Sequence, residues 1–173
     1  MRARHAVAVV PLAAALLLAG CSGRPGTAAT VDGTRISDSQ VSALLSDLAI
    51  INGNDTATPR QAVQSLIIAP TVLDVAADAG MGVSRQQGID LLDDAAAQIG
   101  ADPWDYSDEL VEIAQMAVAT NQLDTDANTE VQARVEDLDV RVNPRFGSWD
   151  SSGVTATTWP WILGAADSST SAG

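Results

Sequence analysis

The chain contains a single cysteine, Cys21, so no disulfide can form within it. A disulfide-stapled scaffold is therefore excluded, and the fold has to be held together by a packed apolar core. The cysteine stands directly after an apolar run that begins at Ala6, behind Arg2 and Arg4. This run is about fifteen residues long, which is shorter than a membrane span and typical of an export signal.

The four residues that end this run, Leu18-Ala19-Gly20-Cys21, resemble the lipobox of bacterial lipoproteins. The resemblance implies that residues 1–20 are a signal peptide and that the Cys21 thiol carries a diacylglyceryl group. It also implies a further acyl chain, such as palmitate, on the new amino terminus. Such chains together anchor a protein almost permanently. We therefore expect lipid attachment to the extracytoplasmic face of the cell membrane; a transmembrane anchor and an unlipidated cysteine are the alternatives.

The mature chain lacks the residues on which most covalent catalysis depends. His5 is the only histidine and leaves with the signal, every basic residue is arginine, and Cys21 is consumed by lipid. Serine–histidine triads, cysteine nucleophiles, lysine Schiff bases and the usual zinc sites are excluded by this inventory. We expect no enzyme and no cofactor. Paired carboxylates are the enzymatic alternative that the sequence leaves open.

The charge of the chain restricts its partners. The formal net charge is −13 at pH 7, and loss of Arg2 and Arg4 with the signal makes it more negative. A basic face for nucleic acid is not expected on such a chain. Anionic headgroups should repel the acidic body while the lipid holds it at the membrane. Residues 21–27 are small and polar, with Pro25, and are typical of a flexible tether.

Apolar spacing predicts a mainly α-helical domain over residues 28–150, with about five helices packed orthogonally or irregularly. Ser37 with Gln40 and Ser84 with Gln87 form capping-box patterns at the starts of the first and third helices. The second helix begins at Thr58 and Pro59. Pro70 falls inside it and predicts a kink or a split, and Gly100 predicts the end of the third helix.

A fourth helix is predicted from about Tyr106 to Leu123, and a short fifth helix from about Ala127. Trp104 and Tyr106 should pack the start of the fourth helix onto the core. The inward face of that helix is expected to carry Leu110, Ile113 or Ala114, Met116, Ala117 and Val118.

The hydrophobic period changes to two near the end of the domain. Leu138, Val140 and Val142 alternate with polar residues, which predicts a half-buried strand. A shorter strand is predicted at Val31, before the turn signal Asp32-Gly33. We expect these strands to form a short pair that joins the N- and C-terminal ends of the helical domain.

The order of these parts resembles the N-terminal chaperone domain of SurA and of the related PrsA foldases. The resemblance covers about residues 28–150 and is most specific in V-x-V-N-P-R-F-G-S-W, although the same residues could serve only to close the structure. It implies an extracytoplasmic chaperone that binds unfolded, exported polypeptide without catalysis. The segment between Leu123 and Val140 is too short for the parvulin prolyl-isomerase domain of some members. The motif residues are Asn143, Pro144, Arg145, Phe146, Gly147 and Trp149.

Residues 151–173 are predicted to be a flexible tail with one apolar segment. Trp159, Trp161 and Ile162 are the candidate client-binding residues in it, although the two tryptophans could also dock on the helices or contact lipid. Trp149 is expected in the core rather than at a partner surface. The functional alternative is an envelope scaffold lipoprotein that binds one folded partner; no particular oligomeric state is predicted.

Two acidic groups are weaker candidate sites. The run from Asp124 to Glu130 begins like a calcium loop, but Thr129 and Val135 stand where glycine and a bidentate acid are required. Helix capping by Asp126 is the better interpretation. Asp90, Asp93 and Asp94 share a predicted helix face and are expected to be solvated.

Overall fold

A computed structural model of the chain describes residues 25–52 and 57–157. The predicted signal peptide and Cys21 lie outside these residues, as do Trp159, Trp161 and Ile162. The described part is mainly helical, as predicted, with five helices and two small antiparallel sheets. In chain order the elements are β1 (Thr27–Val31), β2 (Thr34–Ser37), α1 (Asp38–Ile51), α2 (Pro59–Asp78), α3 (Arg85–Gln98), α4 (Asp108–Gln122), α5 (Thr125–Glu136), β3 (Val140–Val142), β4 (Ser148–Asp150) and β5 (Gly153–Thr155).

The first sheet joins the two ends of the domain. Its order is β2-β1-β3, and β1 pairs antiparallel with both neighbours, with Val31 opposite Val140. The predicted pairing of the first and closing strands is confirmed. Strand β2 is additional, because Asp32 and Gly33 both adopt positive φ (48° and 81°) and turn the chain back on itself. Such turns match the twist of a hairpin.

The helix starts follow the predicted capping residues. Ser37, Thr58 and Ser84 are the N-caps of α1, α2 and α3, and each forms a capping box with the residue three positions later. Gly80 and Gly100 follow the C-cap residues of α2 and α3, and their φ values are +74° and +73°. In each case the following residue donates its N–H to a carbonyl in the last turn, which is a Schellman motif.

Helix α2 does not split at Pro70, so the prediction of a split helix is wrong, whereas a kink stays a prediction. The helix is continuous from Pro59 to Asp78, and Pro70 lies on its exposed side. Ala69 and Val72, on either side of the proline, are buried. Packing of both halves therefore outweighs the one backbone hydrogen bond that a proline removes.

The core is organised around α2, which contacts α1, α4, α5, the first sheet and β5. The largest fully buried side chains are Leu44, Val63, Ile67 and Val111. Helix α3 packs closely on α4 because Gly88 has no side chain: a Cβ there would lie 2.8 Å from Gln115 Cγ and 3.0 Å from the Val111 carbonyl oxygen.

The predicted inward face of α4 is partly wrong. Val111 and Ala119 are buried and Ala117 is exposed, although Leu110 and Ala114 are buried as expected. The helix begins at Asp108 and packs against both α2 and α3. Its buried residues therefore cover a broader part of the helix surface than the single apolar stripe that the sequence analysis assumed.

Asp47 fixes the start of α4 on α1. It is 9% exposed, and its carboxylate accepts the Trp104 Nε1–H at 3.2 Å and the Ser107 backbone N–H at 2.9 Å. Ser107 is itself the N-cap of α4. Trp104 and Tyr106 stack edge to face beside it, with ring centroids 4.7 Å apart. Tyr106 packs against the core as predicted, whereas Trp104 contacts this junction through its hydrogen bond to Asp47 and through the Tyr106 ring.

Replacement of Asp47 by alanine should destabilise the protein by about 1–3 kcal/mol, because it leaves two donors without their partner in a largely buried site. Urea unfolding followed by circular dichroism measures the loss. The control is Asp94→Ala, an exposed carboxylate of α3, which should change the free energy of unfolding by less than about 0.5 kcal/mol. Equal effects of the two substitutions would contradict this role of Asp47.

Candidate functional site

The motif that follows β3 forms a structural corner. Asn143 donates from Nδ2 to the Thr27 carbonyl oxygen at 3.0 Å, and its own carbonyl accepts the Phe146 N–H at 2.9 Å. Arg145 pairs with Asp38 at the start of α1, and its guanidinium lies 4.5 Å from the centre of the Phe146 ring. These contacts engage the motif side chains with the protein itself.

The chain remains ordered beyond Asp150, where the sequence analysis places the start of the tail. Strand β5 pairs with β4 through Trp149 and Val154, and Val154 is 6% exposed. Gly147 has a φ of +132°, and a Cβ there would lie 2.1 Å from the Thr155 carbonyl oxygen. This close approach requires glycine and positions the hairpin. The folded domain therefore includes the β4–β5 hairpin.

The hairpin forms one wall of an open cavity of about 590 Å³, which we call the hairpin cavity. Ile68 of α2, Leu138 and Trp149 supply most of its apolar lining. Trp149 is half-buried: it packs against the core and also lines this cavity, so its expected core position is correct only in part. The remaining lining residues are Gln64, Val135, Glu136 and residues 150–153.

A second open cavity, of about 440 Å³, lies between α2 and the first sheet, and we call it the sheet cavity. Its apolar lining comes from both layers and from the exposed ring of Pro70. Leu138 lines both cavities. We refer to the two together as the α2–α5 groove. The apolar residues of the sheet cavity are Val31, Ile36, Leu66, Ile67, Pro70 and Leu138.

The rim of the α2–α5 groove is acidic. Five exposed carboxylates and one arginine, Arg134, line it. Arg134 is already paired with Asp78 at 2.9 Å and with Glu130 at 2.7 Å, and these hydrogen bonds raise its pKa. The five carboxylates are Asp32, Asp74, Glu136, Asp137 and Asp150.

Asp150 is held in its ionised form. Ser152 donates to its carboxylate from the backbone N–H at 2.8 Å and from the hydroxyl at 2.5 Å, and Thr155 donates at 3.0 Å. These bonds lower the pKa of Asp150. A carboxylate stabilised in this way is a poor general acid but a good partner for a cation.

A third cavity, of about 430 Å³, lies beside Asp47 and is mainly polar. Three of its four charged groups are engaged within the protein: Asp47 accepts two hydrogen bonds, and Arg85 pairs with Asp108 at 2.7 Å. This arrangement fits a structural junction better than a binding site.

Asp124 and Asp93, from the two other acidic candidate groups, have structural partners, whereas Asp94 is exposed as expected. Asp124, and not Asp126, caps α5, with its carboxylate accepting the Ala127 N–H at 2.8 Å. Asp93 is not simply solvated, because it accepts the Tyr106 hydroxyl at 2.8 Å. Across the described ranges, no cluster of three or more acidic, histidine or cysteine side chains is arranged to hold a metal ion.

The groove could not be found from the sequence. Its walls come from residues 31–36, 64–74, 134–138 and 149–153, which are distant in the chain and carry no shared motif. Of the motif residues, only Trp149 lines it, while the others form the corner that supports the hairpin.

Comparisons with protein-family models, with curated proteins and with solved structures found no match to this chain. None of the helices in the described ranges has both the length and the apolar character to cross a membrane.

Tyr106 offers a test of the α3–α4 contact, because it is the only tyrosine. Partial burial and the hydrogen bond to Asp93 raise its pKa from 10.0 to about 12. Between these values the folded chain keeps a proton that the unfolded chain loses, so stability should fall as pH rises through this window. Tyrosinate absorbance should therefore appear near pH 10 in urea and at higher pH in the folded protein.

Asp93→Asn is the matched variant for this titration. It should lower the pKa of Tyr106 toward its ordinary value, because it removes the negative charge that opposes ionisation. Folding at each pH is checked by tryptophan fluorescence. If Tyr106 of the unsubstituted, folded chain ionised near pH 10, the hydrogen bond between Tyr106 and Asp93 would be contradicted.

Proposed function

We propose that this chain is a lipid-anchored extracytoplasmic protein that binds unfolded, exported polypeptide in the α2–α5 groove, without covalent chemistry. The observation that supports this proposal is the groove itself, which consists of two open cavities that share Leu138 and are each lined in part by apolar side chains. An exposed apolar surface of this kind is costly in water unless a partner covers it, and it is typical of an interaction site.

The shape of the groove favours a chain over a compact ligand. Small-molecule sites are generally enclosed and have a few convergent polar groups. Here two open cavities have Leu138 as a common lining residue, and side chains of one bound segment would occupy both. Such recognition depends on apolar side chains rather than on one sequence, as binding of unfolded polypeptide requires.

The chemistry of the described residues favours binding over catalysis. Among the groove carboxylates, Asp150 is held ionised by Ser152. Glu112 on α4 has a raised pKa, because it is partly buried and lies near Glu109, but it lines none of the three cavities. Carboxylate catalysis requires an acid with a raised pKa close to an ionised carboxylate. The described residues of the groove do not bring such a pair together.

The start of the domain suits a membrane tether. Arg35 of β2 donates to the Gly26 carbonyl oxygen at 2.7 Å and to Thr27 Oγ1 at 2.9 Å. The backbone is thereby fixed a few residues after Cys21, so a lipid on that cysteine would hold the domain close to the membrane surface. The resemblance of the sequence to SurA and PrsA points to the same role.

An envelope scaffold for one folded partner is the second candidate function. The exposed face of α3 favours it, because Leu91 of the helix is 40% exposed and Ile99, its C-cap residue, is 48% exposed. A folded partner would cover this face, whereas unfolded polypeptide would occupy the groove.

A fluorescence titration distinguishes these functions. The mature chain, residues 21–173 with Cys21→Ser to keep it free of lipid, is titrated with several tryptophan-free polypeptides in unfolded and folded forms. We expect micromolar binding of unrelated unfolded chains and no binding of their folded forms. Trp149→Phe should remove most of the emission change, because Trp149 lines the groove, whereas Trp104→Phe should retain it.

Calorimetry on the same variants separates loss of the fluorescent reporter from loss of binding. Absence of binding to every unfolded chain would contradict the proposed function. Binding that is insensitive to Trp149→Phe, but lost in the double variant Trp159→Phe and Trp161→Phe, would move the site from the groove to the tail.

A further inference from the structure

We infer that the α2–α5 groove selects polypeptide segments that combine lysine or arginine with apolar side chains, in preference to neutral or acidic segments. This inference rests on the proposed function and specifies its substrate class. It comes from the placement of unpaired charge around an apolar floor.

The carboxylates occupy both parts of the groove. Asp32, Asp74 and Asp137 line the sheet cavity, and Glu136 and Asp150 line the hairpin cavity. All five are exposed, so they remain available to a partner. A cationic segment lying along the groove would therefore meet negative charge in both cavities.

No arginine of the described ranges neutralises these groups. The ion pairs found there involve other carboxylates, such as Asp38, Asp78 and Asp108. The hydrogen bonds to Asp32 and Asp150 come from neutral backbone or hydroxyl groups, which leave their negative charge in place. The negative potential over the groove is therefore uncompensated locally, and the net charge of −13 reinforces it.

Arg134 does not reverse this charge. It lines the sheet cavity, but its guanidinium bonds Asp78 and Glu130, which face it from α2 and from its own helix. The three groups together carry a net negative charge. An acidic segment would thus find no free cation in the described groove.

The apolar floor determines that the occupant is a polypeptide segment rather than a free metal ion. Apolar side chains line each cavity beside its carboxylates, and no cluster able to hold a metal ion is found in the described ranges. Apolar side chains of the segment would cover this floor while its cationic side chains reach the rim. The charges would mainly raise selectivity and the association rate.

The test uses three peptides with the same apolar residues and with lysine, glutamine or glutamate at the same positions. The mature chain with Cys21→Ser should bind the lysine peptide most tightly and the glutamate peptide most weakly. Raising the NaCl concentration from about 50 mM to about 500 mM should weaken binding of the lysine peptide and leave binding of the glutamine peptide nearly unchanged.

The double variant Glu136→Arg and Asp137→Arg reverses two charges of the rim. Both positions lie at the C-terminal end of α5, where cations are favourable, so the variant should fold. It should lower the affinity for the lysine peptide roughly five- to tenfold at low salt and raise the affinity for the glutamate peptide. The matched control reverses Asp90 and Asp94, which lie on α3 outside the groove, and should change affinity less than about twofold.

The outcomes separate this inference from the proposed function. Equal affinities for all three peptides would overturn the charge selectivity while leaving the groove as a binding site. Failure of every peptide to bind would overturn both. Equal effects of the two double variants would show that net charge, rather than the rim of the groove, determines the preference, and would also overturn the inference.

Discussion

Pairing of β1 with β3 brings together the two ends of the domain, and the other elements depend on it. It is reinforced by side-chain bonds across 107 and 116 residues, from the Asp139 N–H to Asp32 and from Asn143 to the Thr27 carbonyl. Three paired positions are marginal alone, so the sheet has to pack against helices to persist. Ala28 and Ala29 of β1 are fully buried. Because α5 and the hairpin flank β3 in the chain, this pairing also brings the late walls of the groove against α2.

A chain without disulfides depends on polar groups that are satisfied where its elements meet. Asp47 joins α1 to α4, Asn143 joins β3 to β1, and Gln64 of α2 accepts the Val154 N–H at 3.4 Å. Gly153 allows the last contact, since a Cβ there would lie 2.6 Å from the Gln64 side chain. Helix α2 thus holds the hairpin in place through Gln64, and Trp149 of the hairpin lines the hairpin cavity.

Local signals in the sequence predicted the helices well, and they predicted the groove not at all. Capping residues and helix-ending glycines act within a few positions, so Ser37, Ser84 and Gly100 were sufficient evidence for boundaries. Strands β2, β4 and β5 each carry one large apolar side chain, so no alternating hydrophobic pattern marks them in the sequence. The buried face of α4 depends on two partner helices, and the groove depends on packing between distant segments. The resemblance to SurA and PrsA stays a prediction.

The central claim is that the α2–α5 groove binds unfolded polypeptide, and hydrogen–deuterium exchange of the mature chain tests it most directly. Exchange is measured with and without a saturating unfolded polypeptide. Slower exchange in residues 64–74, 134–138 and 149–153, with α3 unchanged, is the result that this account predicts. Protection confined to α3, or to residues beyond Thr157, would contradict it.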